Sequence, residues 1–167
     1  MPNPKSKIPN PKSEEKPFEL TSGSVEETHV IGERLGRLLR PGDVVALSGE
    51  LGSGKTTLIQ GVARGLGRDP NAIKSPTFVL MREYPGTVPL VHIDGYRLEG
   101  ASAASWLDLD LIFSPRKITV IEWAQRFGGL LPEPHVAVHI SHVSANRRRV
   151  RLAPSSARAV ELITQLK

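Results

Sequence analysis

The 167-residue chain lacks several features that would place it in particular classes of protein. It has no cysteine, which excludes disulfides, thiolate catalysis and cysteine-ligated zinc and is compatible with a reducing compartment. It has no apolar run close to the roughly 20 residues of a membrane helix, and its start lacks the apolar segment of a secretory signal. We therefore expect a cytoplasmic protein without membrane contacts.

The positive charge of the chain is modest and partly confined to its start. A net charge of +5 and a pI of about 9.8 permit contact with nucleic acid without requiring it. Residues 1–17 carry part of the excess, and their five prolines and few apolar side chains predict a disordered tail. The remaining residues, 18–167, suffice for a single domain with a sizeable core.

Helices are predicted at three places. Ser24 and Glu27 have the spacing of a capping box, which predicts a helix starting after Ser24. Residues 56–66 form a second helical run that begins directly after a glycine-rich segment. A third helix is predicted near the end of the chain, capped by Ser155 or Ser156.

Strands are predicted where short runs are apolar or alternate between apolar and polar residues. Apolar runs suit strands buried in a parallel sheet, and alternation suits a strand with one exposed face. Pro85 and Gly86 separate two such runs and predict an antiparallel hairpin. Strands and helices together predict an α/β domain with a mixed, partly parallel sheet. The predicted strands are 18–20, 44–47, 78–84, 90–93, 118–121, 136–140 and 150–152.

The glycine-rich segment has the pattern of a phosphate-binding loop. Two glycines stand five residues apart and are followed by a lysine and a threonine. Glycines let backbone N–H groups turn toward phosphate oxygens, and the following helix adds free N–H groups and its positive end. Lys55 would place its charge on the β- and γ-phosphates, and Thr56 would offer its hydroxyl to Mg²⁺. The predicted contacts with ATP are Gly49, Glu50, Leu51, Gly52, Ser53, Gly54, Lys55, Thr56 and Thr57.

Two carboxylates are candidates for the other side of a magnesium site. A phosphate-binding loop needs a carboxylate that holds Mg²⁺ directly or through water. Asp94 follows the predicted strand 90–93, and Glu122 follows the predicted strand 118–121. Their positions at strand ends do not show by themselves which of the two carboxylates binds Mg²⁺.

Three further segments follow the loop and point to a family. They read Ser75-Pro76-Thr77-Phe78, His92-Ile93-Asp94-Gly95-Tyr96-Arg97 and Glu122-Trp123. In this order the chain closely resembles the bacterial tRNA threonylcarbamoyladenosine biosynthesis ATPase family (TsaE), from about residue 24 to residue 123. The resemblance implies a P-loop NTPase-like three-layer domain. It also implies an ATPase that helps a threonylcarbamoyl-transferring enzyme pair to modify the adenosine beside the tRNA anticodon.

The resemblance implies roles for the two candidate carboxylates. Thr56 and Glu122 would bind Mg²⁺, and Asp94 would be needed for activity. Both carboxylates are therefore assigned to catalysis, and turnover by the isolated chain is expected to be slow.

The resemblance also implies a region that responds to nucleotide. Ser75 and Thr77 would belong to a switch segment, and Trp123 would lie near the nucleotide. Arg97 would stabilise transferred charge or contact a partner, with a structural ion pair as an equal alternative. Contact with tRNA, direct or through the partners, stays open.

Other interpretations of the same residues stay open as well. His92 lies within an apolar strand, where a core histidine is the simpler interpretation. The run of arginines at 147–149 and 151 suits a solvated hairpin end as well as tRNA phosphates. The alternative functions are a small P-loop metabolite kinase, which needs a phosphoryl acceptor, and a non-enzymatic module that binds partners when nucleotide is present.

Overall fold

The computed structural model describes residues 16–76, 79–98, 105 and 107–167. Nearly all of the predicted tail, as well as Thr77 and Phe78, lies outside these ranges. Within them, none of the helices is long and apolar enough to cross a membrane.

Seven strands in the described residues form one mixed sheet. Their order across the sheet is β1-β7-β6-β2-β5-β4-β3. The four central strands, β6, β2, β5 and β4, run parallel, whereas β1, β7 and β3 pair antiparallel at the two sides. This confirms the predicted mixed, partly parallel sheet. The strands are β1 (Phe18–Ser22), β2 (Val44–Ser48), β3 (Met81–Tyr84), β4 (Leu90–Asp94), β5 (Ile118–Glu122), β6 (Val136–His142) and β7 (Arg148–Leu152).

The first and last helices begin at the capping residues that their sequences predict. The Ser24 hydroxyl accepts a hydrogen bond from the Glu27 N–H at 3.1 Å, and the Glu27 carboxylate accepts one from the Gly23 N–H at 2.6 Å. Ser156, one of the two predicted caps, accepts from the Ala159 N–H at 3.1 Å. The α-helices of the described residues are α1 (Val25–Leu38), α2 (Lys55–Gly65), α3 (Leu109–Ile112) and α4 (Ala157–Leu166).

The hairpin of β3 and β4 is antiparallel as predicted, but β3 begins later than its sequence indicates. A turn precedes it, in which the Leu80 N–H donates to the Pro76 carbonyl at 2.7 Å and Leu80 has a φ of 64°. Because this turn uses the Leu80 N–H, strand pairing begins only at Met81. The prediction of a strand from residue 78 was therefore too long.

Helices α1 and α2 pack backbone against backbone through glycines. Gly32 and Gly36 on α1 face Gly61 and Gly65 on α2, and a Cβ atom at any of the four would overlap main-chain atoms of the other helix. Both pairs are spaced by four residues, which places each pair on one face of its helix. This close contact holds α2, and with it the glycine-rich loop at its start, against the rest of the domain.

Replacing Gly61 with alanine is expected to lower the free energy of unfolding by about 1–3 kcal/mol. A Cβ at Gly61 would overlap the His29 carbonyl oxygen and lie 2.9 Å from the Gly32 Cα, so α1 and α2 must separate. Urea denaturation of the purified variant measures the change. Gly129→Ala is the matched control, because a Cβ at Gly129 has no atom within 4 Å. Equal stability of the two variants would contradict the packing described for α1 and α2.

Candidate functional site

The glycine-rich loop connects the end of β2 to the start of α2. Gly54 precedes the helix with a φ of 107°, a conformation that side-chain-bearing residues rarely adopt. A Cβ at Gly49 would overlap the Ile140 carbonyl oxygen and lie 2.7 Å from the Ser53 Oγ, so β6 also requires a glycine there. The loop thus leads directly into the positive end of an 11-residue helix.

Lys55 lies inside the loop that precedes it. The residue is 4% exposed, and its Nζ donates to the carbonyl oxygens of Gly49 at 2.8 Å and Glu50 at 2.7 Å. Burial lowers the pKa of the Lys55 amine, and the Glu122 and Asp94 carboxylates oppose this shift. The loop therefore encloses an ammonium group with two carboxylates nearby.

Trp123 covers the Lys55 ammonium. The Nζ atom lies 4.1 Å from the centre of the Trp123 ring, a cation–π contact. Trp123 has a φ of 56°, which is rare for a large side chain and indicates local strain. Tyr96 lies 5.1 Å from Trp123 between ring centres, and the Arg126 guanidinium lies 5.4 Å from the Trp123 ring centre. The resemblance placed Trp123 near the nucleotide, and the structure places it against the loop.

Thr56 and Glu122 meet although 66 positions separate them. The Thr56 hydroxyl donates to the two Glu122 carboxylate oxygens at 3.0 and 3.1 Å. Glu122 is the last residue of β5, whose neighbour in the sheet is β2, the strand that leads into the loop. The carboxylate and the hydroxyl are both hard oxygen donors.

These two donors fit magnesium. Magnesium typically takes one or two protein oxygens and completes its octahedron with phosphates and water. Among the described residues, no group of three or more His, Cys, Asp and Glu side chains could hold a metal by itself. A ligand set of Thr56 and Glu122 therefore fits a metal that arrives with a nucleotide better than a resident structural ion.

Asp94 stands beside Glu122 but faces a different segment. The two residues are direct partners in the pairing of β4 and β5. One Asp94 oxygen accepts from the Ser75 hydroxyl at 2.7 Å, and the other accepts from the Tyr96 N–H at 2.9 Å. Asp94 therefore contacts the predicted switch segment, whereas Glu122 contacts Thr56. The sequence alone did not separate the two carboxylates in this way.

A cleft of about 400 Å³ continues from the loop. It lies between the start of α1, the loop with the start of α2, and the turn that joins β6 to β7. Three segments that are far apart in the chain build this cleft, so it was not predictable from local sequence patterns. The polar side chains that line it include Ser24, Thr28, Thr57, Asn146 and Arg148.

Residues 22–150 match the family model described as "Threonylcarbamoyl adenosine biosynthesis protein TsaE". The chain belongs to the TsaE family. Among its relatives is the tRNA threonylcarbamoyladenosine biosynthesis protein TsaE of Streptomyces coelicolor, 50% identical over 99 residues, which are 57% of this chain and 66% of that protein. The TsaE protein of Bacillus subtilis is 37% identical over 126 residues, 75% of this chain and 78% of that protein.

A solved structure agrees with the family assignment. The crystal structure of Bacillus subtilis YdiB superimposes with a TM-score of 0.76 and 31% sequence identity, covering 90% of this chain and 94% of that one. The likeness confirms the predicted fold class, a P-loop NTPase-like α/β domain.

The remaining predicted residues of this TsaE family member are not all gathered at the loop. Arg97 is exposed and is the last residue of the short helical turn after Asp94. In the arginine run, Arg149 and Arg151 both pair with Glu19 on β1, with Nε to carboxylate distances of 3.7 and 2.7 Å. Thr77 lies outside the described residues.

His92 is a further buried residue of the site, and its contact with Glu122 was not predicted from the sequence. His92 was expected to be a core histidine, and it is buried, but its imidazole contacts the Glu122 carboxylate. A signal was present in the sequence. Since side chains alternate along a strand, His92 and Asp94 must share one face of β4.

Proposed function

We propose that this chain binds ATP with Mg²⁺ at residues 49–57, hydrolyses it slowly, and serves the biosynthesis of threonylcarbamoyladenosine in tRNA. The observation that carries the proposal is the contact of Thr56 with Glu122 beside the enclosed Lys55 ammonium. A hydroxyl, a carboxylate and a positive charge thus lie together at the start of a helix. These are the groups that binding of a triphosphate with its metal ion requires. The names of the family and of its curated members supply the biological setting.

The phosphates and the nucleoside would occupy adjoining parts of the site. The free N–H groups at the start of α2 would receive the phosphates, and Lys55 would exchange the carbonyls of Gly49 and Glu50 for phosphate oxygens. The base and ribose would lie in the adjoining cleft, whose volume of about 400 Å³ is within the usual range for ligand sites.

The two carboxylates would divide the chemistry between them. Magnesium, held by Thr56 and Glu122, would neutralise charge on the β- and γ-phosphates. Asp94 would orient the attacking water, because its carboxylate ends a strand next to Glu122 and is held by Ser75 and Tyr96. Positioning and charge stabilisation are the main catalytic contributions in phosphoryl transfer, and an isolated chain with few such groups is expected to turn over slowly.

Ser75 would couple the nucleotide state to protein partners. Its hydroxyl contacts Asp94, so a γ-phosphate arriving beside Asp94 would change the surroundings of the segment that Ser75 begins. Loss of that phosphate on hydrolysis would reverse the change, as in nucleotide-dependent switches. The partners we propose are the enzymes that transfer threonylcarbamoyl to tRNA.

We expect the threonylcarbamoyl-transferring enzyme pair to bind this chain roughly 5- to 150-fold more tightly with a non-hydrolysable ATP analogue than with ADP. A ligand shifts such an equilibrium only by its differential affinity for the two states. Titration of the purified pair against each nucleotide state measures the ratio, and phosphate release followed in parallel should rise when the pair is added.

Two results would speak against this function. If the two affinities are equal and phosphate release is not stimulated, the chain remains a member of the family but does not act as a nucleotide-dependent switch. Transfer of the γ-phosphate to a small molecule, with no release of inorganic phosphate, would instead favour a metabolite kinase.

A further inference from the structure

His92 lies on the same face of the sheet as the two carboxylates of the site. Leu90 and Val120 belong to the core beneath α1 and α2. Because side chains alternate along a strand, His92 and Asp94 share the face of Leu90, and Glu122 shares the face of Val120. The imidazole therefore lies between the apolar core and the carboxylate that faces Thr56.

The contact between His92 and Glu122 is short and buried. His92 Nε2 lies 2.8 Å from Glu122 Oε1, and the two side chains are 0% and 4% exposed. A carboxylate that binds Mg²⁺ only accepts hydrogen bonds, so in the proposed site His92 Nε2 is the donor of this bond. The Nδ1 atom has no hydrogen-bond partner among the residues that the structure describes. Among the described residues, the His92 imidazole therefore has a single hydrogen-bond partner, Glu122.

We infer that His92 is a positioning residue that holds the Glu122 carboxylate in the orientation needed to bind Mg²⁺. The inference rests on the proposed function. Glu122 Oε1 accepts from both His92 Nε2 and the Thr56 hydroxyl, while Oε2 accepts from Thr56. Without His92 the Glu122 carboxylate loses its donor on the core side and is free to rotate away from the metal position. Partners of this kind behind a metal ligand typically change metal affinity by about 10- to 100-fold.

The test is a magnesium titration of ATP binding, followed by calorimetry, for the wild type and two variants of the full chain. His92→Leu removes the donor but keeps an apolar side chain, and the Mg²⁺ concentration for half-saturation should rise about 10- to 100-fold. His92→Gln retains an amide donor at a similar reach and should restore most of the loss. The affinity for ATP in the presence of a chelator should not change in either variant.

Thr119→Val is the matched control for loss of a buried hydrogen bond. Thr119 lies on β5, is 1% exposed and donates to the Ile112 carbonyl at 2.7 Å, away from Glu122. The Thr119→Val change should lower the free energy of unfolding without changing the magnesium midpoint, that is, the Mg²⁺ concentration for half-saturation. A magnesium midpoint in His92→Leu that equals the wild-type value would overturn the inference while leaving the proposed function intact. A wild type that binds ATP without any magnesium dependence would instead overturn the proposed function, and this inference with it.

Nitrogen NMR of the unmodified chain keeps the inference testable if His92→Leu does not fold. The spectrum should show that Nε2 of His92 carries a proton and that this proton is hydrogen-bonded. A proton on Nδ1 alone would overturn the inference, because His92 then has nothing to donate to Glu122.

Discussion

Asp94→Asn is expected to lower ATP turnover about 10²- to 10⁴-fold, the range usual for a group that handles the proton of a reacting water. Asparagine has the same shape, so it can still accept from the Tyr96 N–H and bond to the Ser75 hydroxyl. Binding of Mg²⁺ and ATP should therefore be nearly unchanged. Single-turnover phosphate release measures the chemical step, and calorimetry measures the binding.

The matched comparison for this prediction is Glu122→Gln, together with Asp110→Asn as a control. Glu122→Gln should weaken the magnesium dependence of ATP binding, because Glu122 is the carboxylate in contact with Thr56. Asp110 is exposed on α3, and its change should affect neither quantity. If Asp94→Asn loses magnesium dependence and Glu122→Gln loses only turnover, the roles of the two carboxylates are exchanged.

Lys55→Met is expected to weaken ATP binding by about 10- to 150-fold. Charge-assisted hydrogen bonds contribute roughly 1.5–3 kcal/mol each, and Lys55 is the cation enclosed by the loop. Methionine keeps an unbranched side chain against the Trp123 ring, so the variant removes the charge with little change in packing. Calorimetric titration with ATP and Mg²⁺ gives the affinity, and thermal unfolding shows whether the variant is folded.

Lys117→Met controls for the general loss of a positive charge. Lys117 pairs with Glu83 at 2.7 Å and precedes β5, at the end of that strand opposite Glu122. Its change should leave the affinity for ATP as it is. Unchanged affinity in a folded Lys55→Met variant would mean that residues 49–57 are not the nucleotide site.

Local sequence patterns were sufficient for most of the helices and strands. The capping box of Ser24 and Glu27 and the alternation in residues 136–140 depend on neighbours a few positions apart, and both elements form as predicted. The predicted start of β3 was too early because the Leu80 N–H donates within the preceding turn, and a longer strand would need that N–H for pairing. The short helix α3 was not predicted.

The candidate site was predictable only in its separate pieces. The glycine-rich loop is continuous in sequence, so its phosphate-binding pattern is visible before any fold is known. Asp94 and Glu122 were both visible as carboxylates at strand ends. Their different neighbours, Ser75 for Asp94 and Thr56 for Glu122, depend on the order of strands in the sheet.

The amino-acid sequence by itself determined the loop, the caps and the periodicity of the strands, because these depend on residues close along the chain. The tertiary structure decided which strands are neighbours and therefore which distant side chains meet. Thr56 and Glu122 are 66 positions apart, and His92 and Glu122 are 30 positions apart. Such contacts follow from the parallel pairing of β2, β5 and β4, which places the strand ends at one edge of the sheet.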